Sequence, residues 1–191
     1  FLVSWTQTNG DWFVEESPAP AHNNAALSSE GSLAFGSSEL GLGTHLVSAV
    51  NDGFYSNAKS WIAAAGDQDP FIGVSFGQST GIKSIAWGRD NGDDTGDCCG
   101  GQIKDRWKGV YTLQVTQVDE PGLATGETGD AATGWLTIAT IEYKEETDDF
   151  IPYLRHEFQV GDIQGSPIPA TAVRLKVSNA SIAIDELEVN P

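Results

Sequence analysis

Apolar and polar residues alternate along much of this chain. Tyr111, Leu113 and Val115 interleave with Thr112, Gln114 and Thr116; Leu154, His156, Phe158 and Val160 interleave with Arg155, Glu157 and Gln159. Val173, Leu175 and Val177 do the same with Arg174 and Lys176. A period of two sends successive side chains to opposite faces, so each run predicts a strand with one face buried. Shorter apolar runs predict strands at 71–76 (FIGVSF), 83–89 (KSIAWGR), 135–143 (WLTIATIEY) and 182–189 (IAIDELEV). In the last of these the alternation slips. Ile182 and Ile184 share one face, whereas Leu187 and Val189 have the opposite parity. A bulge at Asp185–Glu186 accounts for the slip and would re-aim a side chain; an edge strand with acidic decoration accounts for it equally well.

No segment of a dozen residues keeps a helical period, although SNAKSWIAAA (56–65) has room for one or two helical turns. The 22 Gly and 8 Pro fall at turn-like intervals, and there is no internal repeat. Many short strands joined by glycine-rich loops predict an all-β, single-domain β-sandwich of the jelly-roll type. Residues 1–22 are expected to form an N-terminal arm or edge strand ahead of a domain at 23–191, and 119–134 a long exposed hairpin loop.

Composition narrows the function classes. The 191 residues are enough for one domain with a substantial core. Ten Lys and Arg against 27 Asp and Glu give a formal charge of −17. Nucleic acid and anionic membrane surfaces both require a basic face, so neither is expected as a partner. There is no run of about 18 apolar residues to insert into a bilayer. The acidity serves solubility first, and a carboxylate-rich surface also holds divalent cations. With no initiating Met and no basic-then-apolar leader, the sequence is expected to be a mature or excised piece. Cys98 and Cys99 are adjacent and cannot staple distant segments; they form either a vicinal disulfide or two thiols.

No catalytic pattern emerges. His22, His45 and His156 are scattered without zinc-site spacing. A GxSxG elbow, a GxxxxGKS/T loop and a GxGxxG turn after a strand are absent. Nothing places two carboxylates across a cleft as a glycosidase requires. The chain is expected to be non-catalytic.

The stretch SAVNDGFYSNAKSW (48–61) contains Asn51-Asp52-Gly53, which suits a tight turn. It also suits the start of a cation loop. Calcium takes about six to eight oxygens, and Asp52 is the only carboxylate in this stretch, so a distant segment would have to contribute. The acidic run DNGDDTGD (90–97) lacks EF-hand spacing and reads as a solvated loop.

Four pieces occur in order: GSLAFGSSEL (31–40), AVNDGFYSNAKSWI (49–62), PFIGVSFGQSTGIKSIAWGRDN (70–91) and AVRLKVSNASIAIDELEV (172–189), with DRWKGVYTLQ and WLTIATI between the last two. On these pieces the chain resembles the discoidin domain over about residues 25–190. That domain is the galactose-binding-like jelly roll shared by coagulation factor V/VIII C-type domains and many bacterial carbohydrate-binding modules. The RDN and DR..G.YTLQ pieces are similar to a variant found in secreted proteins of planctomycete-like bacteria. The resemblance implies a structural calcium ion (Ca2+) tying the loop to the last strand. Its ligands would be the carbonyls of Ala49, Phe54 and Asp185 and the carboxylates of Asp52 and Glu186. Where the family carries a Thr two residues before the Trp, this sequence has Lys59, in a loop about two residues longer, leaving Ser60 or Asn57 to supply that oxygen.

The resemblance also implies ligand binding through loops at one end of the sandwich. Trp61, Trp87 and Trp135 read as core, whereas Trp107, between Arg106 and Lys108, reads as exposed. Arg89, Lys104, Arg106 and Lys108 concentrate four of the ten basic residues within 89–108. A site for hydroxylated or anionic glycans would use Arg89, Asp90, Asn91, Asp105, Arg106 and Trp107. Alternatively, Arg89 and Arg106 pair with Asp90 and Asp105 merely to hold the loops. The function implied is a non-catalytic, calcium-stabilised carbohydrate-binding module of a larger secreted or cell-surface protein, with a glycan or polysaccharide as partner. A cell-adhesion or protein–protein interaction module, reaching a protein partner through the parent polypeptide, is the alternative on the same fold.

Overall fold

The computed structural model describes the backbone of 13–14 and residues 23–89, 105–122, 125–145, 152–160 and 166–191. Among them run β1 (Phe13–Val14), β2 (Leu33–Gly36), β3 (Trp61–Ile62), β4 (Phe71–Ile82), β5 (Ser84–Gly88) and β6 (Gly109–Thr116). They are followed by β7 (Leu136–Tyr143), β8 (His156–Gln159), β9 (Ile168–Val177), β10 (Ala183–Ile184) and β11 (Glu186–Asn190). A five-stranded sheet has the order β2-β4-β9-β6-β7, a four-stranded sheet the order β1-β8-β5-β11, and β3 pairs with β10. All the strand pairings are antiparallel. The expected all-β sandwich is the fold that forms.

The alternation explains the core. Ile72, Val74, Leu113, Val115, Val173 and Leu175 of the larger sheet meet Ile85, Trp87, Leu187 and Val189 of the smaller sheet in one buried cluster. Each such side chain contributes about 1.5–3 kcal/mol through removal of its apolar surface from water. Trp61, Trp87 and Trp135 are all buried, as their positions in strands predict.

Several expectations are revised. The stretch 56–65 holds a single 3-10 turn, Asn57–Lys59, before entering β3. Strand β4 runs on well past residue 76, with a register shift between Ser75 and Thr80 at Gly77, whose φ is 67°. The loop before β7 is exposed only in part. Ala131 is buried, its carbonyl accepts the Gln117 N–H at 2.7 Å, and Glu127 forms a parallel bridge with Trp135. The described part of 1–22 is β1, which pairs with β8 at the edge of the smaller sheet.

The parity slip in the last strand is a change of sheet. Ala183 and Ile184 pair with Ile62 and Trp61, and then Glu186–Asn190 pair with Gly88 back to Ser84. Asp185 sits at the crossing, its N–H donating to the Gly88 carbonyl at 2.9 Å. β11 does lie at the edge of its sheet, as the second reading has it, but its acidic residues are not solvent-facing decoration, because Glu186 and Glu188 are both buried. The outer edge of β11 is closed by the 24–25 segment, where Ala25 N–H donates to the Val189 carbonyl (2.8 Å) and Val189 N–H to Asn24 Oδ1 (2.9 Å).

Candidate functional site

The loop that leads into β3 is built from its ends inward. Asn51, buried at the end of the 3-10 turn Val47–Asn51, donates its side-chain amide to the carbonyls of Ala26 (3.0 Å) and Ser32 (3.2 Å). At the other end Trp61 donates its indole N–H to the Ser38 carbonyl at 2.8 Å. Between these anchors Gly53 takes φ 87°, a left-handed conformation that favours glycine. Its N–H then points at Glu186 Oε2, 3.2 Å away. Asp52 Oδ1 accepts the Phe54 N–H at 3.0 Å. The segment Asn51-Asp52-Gly53 is therefore a turn that presents a carboxylate-bearing loop to β11.

Glu186 is the unusual group. Its side chain is 1 % exposed, and its Oε1 has no hydrogen-bond partner among the described residues. Burial pushes its carboxyl up to about 10; the Gly53 N–H opposes this, while the charges of Asp52 and Glu188 add to it. Burial likewise raises Asp52, against the Phe54 N–H and the Lys59 ammonium 3.5 Å away. Asp52 carries the half-exposed Lys59 as its cation, whereas Glu186 is buried with one oxygen unsatisfied, and the two acids raise each other's cost of ionising. Their donor set is all oxygen, which suits a hard cation such as calcium. No cluster of three or more His, Cys, Asp or Glu side chains that could hold a metal occurs among the described residues, so carbonyls would have to complete the coordination.

Of the sequence-derived ligands, the structure brings together the loop bearing Ala49, Asp52 and Phe54 and the crossing at Asp185–Glu186. Ser60 does not present a free hydroxyl: it is buried, and its Oγ lies 2.8 Å from His45 Nδ1. Lys59 stands beside Asp52, where its charge competes with a cation. Asn57 opens the 3-10 turn that places Lys59.

The second candidate region is the loop before β6. Asp90, Asn91, Lys104 and the Cys98–Cys99 pair lie outside the described residues. Arg89 is not a surface ligand group. It is buried, with one guanidinium nitrogen on Asp185 Oδ1 (3.0 Å) and another on Asp105 Oδ1 (3.1 Å). The loop-holding alternative thus applies to Arg89, with Asp185 as the partner that spacing did not reveal. Arg106 is exposed and reaches Asp105 at 3.7 Å. The expectation of an exposed Trp107 is corrected: Trp107 is half-buried and packs against the core, while its carbonyl accepts the Tyr111 hydroxyl at 2.7 Å. One side of the ring is held by the fold, so only a partial surface remains for a ligand. Lys108, exposed, pairs with Glu145 at 2.5 Å.

Sequence reasoning missed the groups that surround the cation loop. Tyr55 donates its hydroxyl to Glu188 Oε1 at 2.5 Å, and Arg155 grips Glu188 through two nitrogens at 2.6 and 2.7 Å. Parity carried a usable signal, since Glu188 shares a strand face with Glu186.

Comparison with solved structures places this architecture. The Clostridium perfringens module CpGH89CBM32-5, in complex with GalNAc-beta-1,3-galactose, superposes with TM-score 0.58 at 15 % identity, covering 85 % of this chain and 97 % of that one. The family 32 carbohydrate-binding module of C. perfringens NanJ, in complex with galactose, gives 0.57 at 18 % identity, with 87 % and 97 % covered. This chain has the galactose-binding-like, discoidin-type fold. Chitosan-binding module 1 of a Paenibacillus chitosanase/glucanase gives 0.56 at 20 % identity, covering 89 % of this chain and all of that module. No protein-family profile and no curated protein sequence matches the chain. No helix among the described residues of this discoidin-type chain is long and apolar enough to cross a membrane.

Proposed function

We propose that this chain is a non-catalytic carbohydrate-binding module of a secreted protein, stabilised by calcium at the loop of Asp52 and the crossing at Glu186. The observation that carries the first part is the likeness, over 85–87 % of the chain, to modules whose solved complexes hold galactose and a GalNAc-containing disaccharide. The observation that supports the second is the buried Glu186 oxygen facing a carboxylate-bearing loop without a donor of its own. Bound there, calcium would give the Glu186 oxygen the positive partner that it lacks among the described residues. The chain's part is to bring the two carboxylates together through Gly53 and to present the carbonyls of Ala49, Phe54 and Asp185.

The glycan surface in this reading is the loop carrying Asp105, Arg106 and the half-buried Trp107, with Lys108 beside it. An aromatic ring stacked on a sugar adds on the order of 1 kcal/mol, and Arg106 adds charge-assisted hydrogen bonds to acidic or sulfated sugars. A glycan array probed with calcium and with chelator tests the reading. Binding that weakens on Trp107→Ala and Arg106→Ala in a protein that still folds supports it; absence of binding to any glycan by the calcium-loaded domain refutes it. The protein-partner alternative would then apply.

A further inference from the structure

The stretch 181–186 is bound on two sides. On one side Glu186 takes the Gly53 N–H of the cation loop (3.2 Å). On the other side Asp185, wholly buried, takes Arg89, which passes a second guanidinium nitrogen to Asp105 at the start of the 105–108 loop. A backbone tie runs parallel to this chain of charges. The Ala183 N–H donates to the Arg106 carbonyl at 2.9 Å, and the Arg106 guanidinium reaches the Ser181 carbonyl at 3.4 Å. Arg106 has φ 57°, a left-handed conformation that a residue with a side chain keeps only when its surroundings hold it there.

We propose that Arg89 is a positioning residue that couples the cation loop to the ligand loop, so that calcium at Asp52 and Glu186 orders residues 105–108. The inference rests on the calcium and glycan readings above, and it adds a role for the ion beyond stability. Without a cation the buried Oε1 of Glu186 has no partner among the described residues, and the crossing at Asp185 is held on that side by the Gly53 contact alone and is loosened. Arg89 and Asp185 are both buried and stay together, because neither can exchange its partner for water. Asp105 is 55 % exposed and can let go. The outer link is therefore the one that opens, and Arg106 relaxes from its left-handed conformation when it does. Calcium closes the same series of contacts, and by reciprocity a ligand that orders the 105–108 loop tightens calcium.

Hydrogen exchange of the metal-free protein, with and without calcium chloride and no glycan present, tests this. In the wild type, calcium should slow exchange in 51–56 and also slow it in 105–110, the latter by about fivefold or more. Asp105→Ala cuts only the outer link and should keep the first effect while losing the second. Arg89→Lys keeps a charge for Asp185 but lacks the fork to hold both aspartates, and should behave in the same way. Protection of 51–56 with no change in 105–110 of the wild type overturns the coupling and leaves the calcium site standing. Equal protection of 105–110 in wild type and Asp105→Ala also overturns it. No protection of 51–56 overturns the calcium reading, and the coupling with it.

Discussion

Both sheets bury an arginine on the face turned away from the core, and they satisfy it in opposite ways. On the four-stranded sheet, Arg155 is gripped by Glu188 at 2.6 and 2.7 Å, and both partners are sealed from water. Gly88 makes room for this. A Cβ there would lie 3.0 Å from the Arg155 Cα and 3.2 Å from the ring of Tyr55, which covers the pair. On the five-stranded sheet, Arg174 lies between the rings of Trp135 (4.4 Å) and Phe71 (4.9 Å). Its Nε donates to Gln114 at 2.7 Å, and the carboxylate it reaches among the described residues, Glu127 at 3.2 Å, is 47 % exposed. Here Gly73 leaves space, since a Cβ would lie 2.6 Å from the Phe35 ring and 2.5 Å from the Val173 carbonyl.

The consequence appears in the charges. Burial works against both guanidinium ions. For Arg155 the hydrogen bonds and charge of Glu188 outweigh it and the pKa moves up, whereas for Arg174 the more distant Glu127 and Asp69 do not, and it moves down. One sheet has matched charge with charge in the dry interior, where losing a partner is severe. The other uses ring faces and an amide, and leaves its anion in water, where it contributes little. Two buried arginines in one small fold therefore carry very different amounts of stability.

The sharpest way to break this comparison is Glu188→Gln, which takes the gripping carboxylate from buried Arg155 and leaves it the longer contact to Glu157 at 3.5 Å. A loss of about 3–5 kcal/mol is expected, or roughly 6–20 °C in melting temperature for a chain of this size. A loss no greater than that of an ordinary surface change would remove the contrast. The next test is pH in the presence of chelator, because the two faces should slope in opposite directions. Glu186 is raised from 4.5 to about 10, so the folded protein holds a proton that the unfolded chain has shed. Its contribution is full below 4.5 and is lost as pH rises towards 10. Glu127 is lowered, chiefly by its hydrogen bond to Lys176, so its contribution is present above the usual carboxylate range and is lost as pH falls. Denaturant titrations of the metal-free wild type, Glu186→Gln and Glu127→Gln across pH should remove one slope each.

Smaller effects sharpen the picture on the five-stranded sheet. Arg174→Lys keeps the charge but loses the planar stack and the fork, and should cost about 1–2 kcal/mol in chemical denaturation. Glu127→Gln at neutral pH should cost less than about 1 kcal/mol and fade in high salt, because the group is half in water. A salt-independent loss as large as that of Glu188→Gln would show that exposure does not separate the two faces. On the cation loop, Lys59→Thr removes the positive charge beside Asp52 and should tighten calcium severalfold, measured by calorimetric titration; unchanged affinity would mean that Lys59 swings clear.

Alternation placed the strands and the buried tryptophans because a two-residue period is a local property of the backbone, and 111–116, 173–177 and 135–143 needed nothing else. The same pattern made Asp185–Glu186 visible as a slip, and residue types alone marked Asn51-Asp52-Gly53 as a turn. What alternation cannot report is what lies above a polar face. Arg155, Arg174, Glu186 and Glu188 occupy positions that read as solvent-facing, yet all four are buried, because Tyr55 covers one face and Trp135, Phe35 and Phe71 gather over the other. Likewise Trp107 looked exposed between two cations, until its packing against the core decided otherwise. Local period and residue type were thus enough for the strands, the sandwich and the turn at Asn51-Asp52-Gly53. The tertiary structure alone decided which charges went dry, how Arg89 joined Asp185 to Asp105, and that the last strand changes sheets. These depend on pairings between residues as far apart as Gly53 and Glu186, or Arg89 and Asp185, which no local period records.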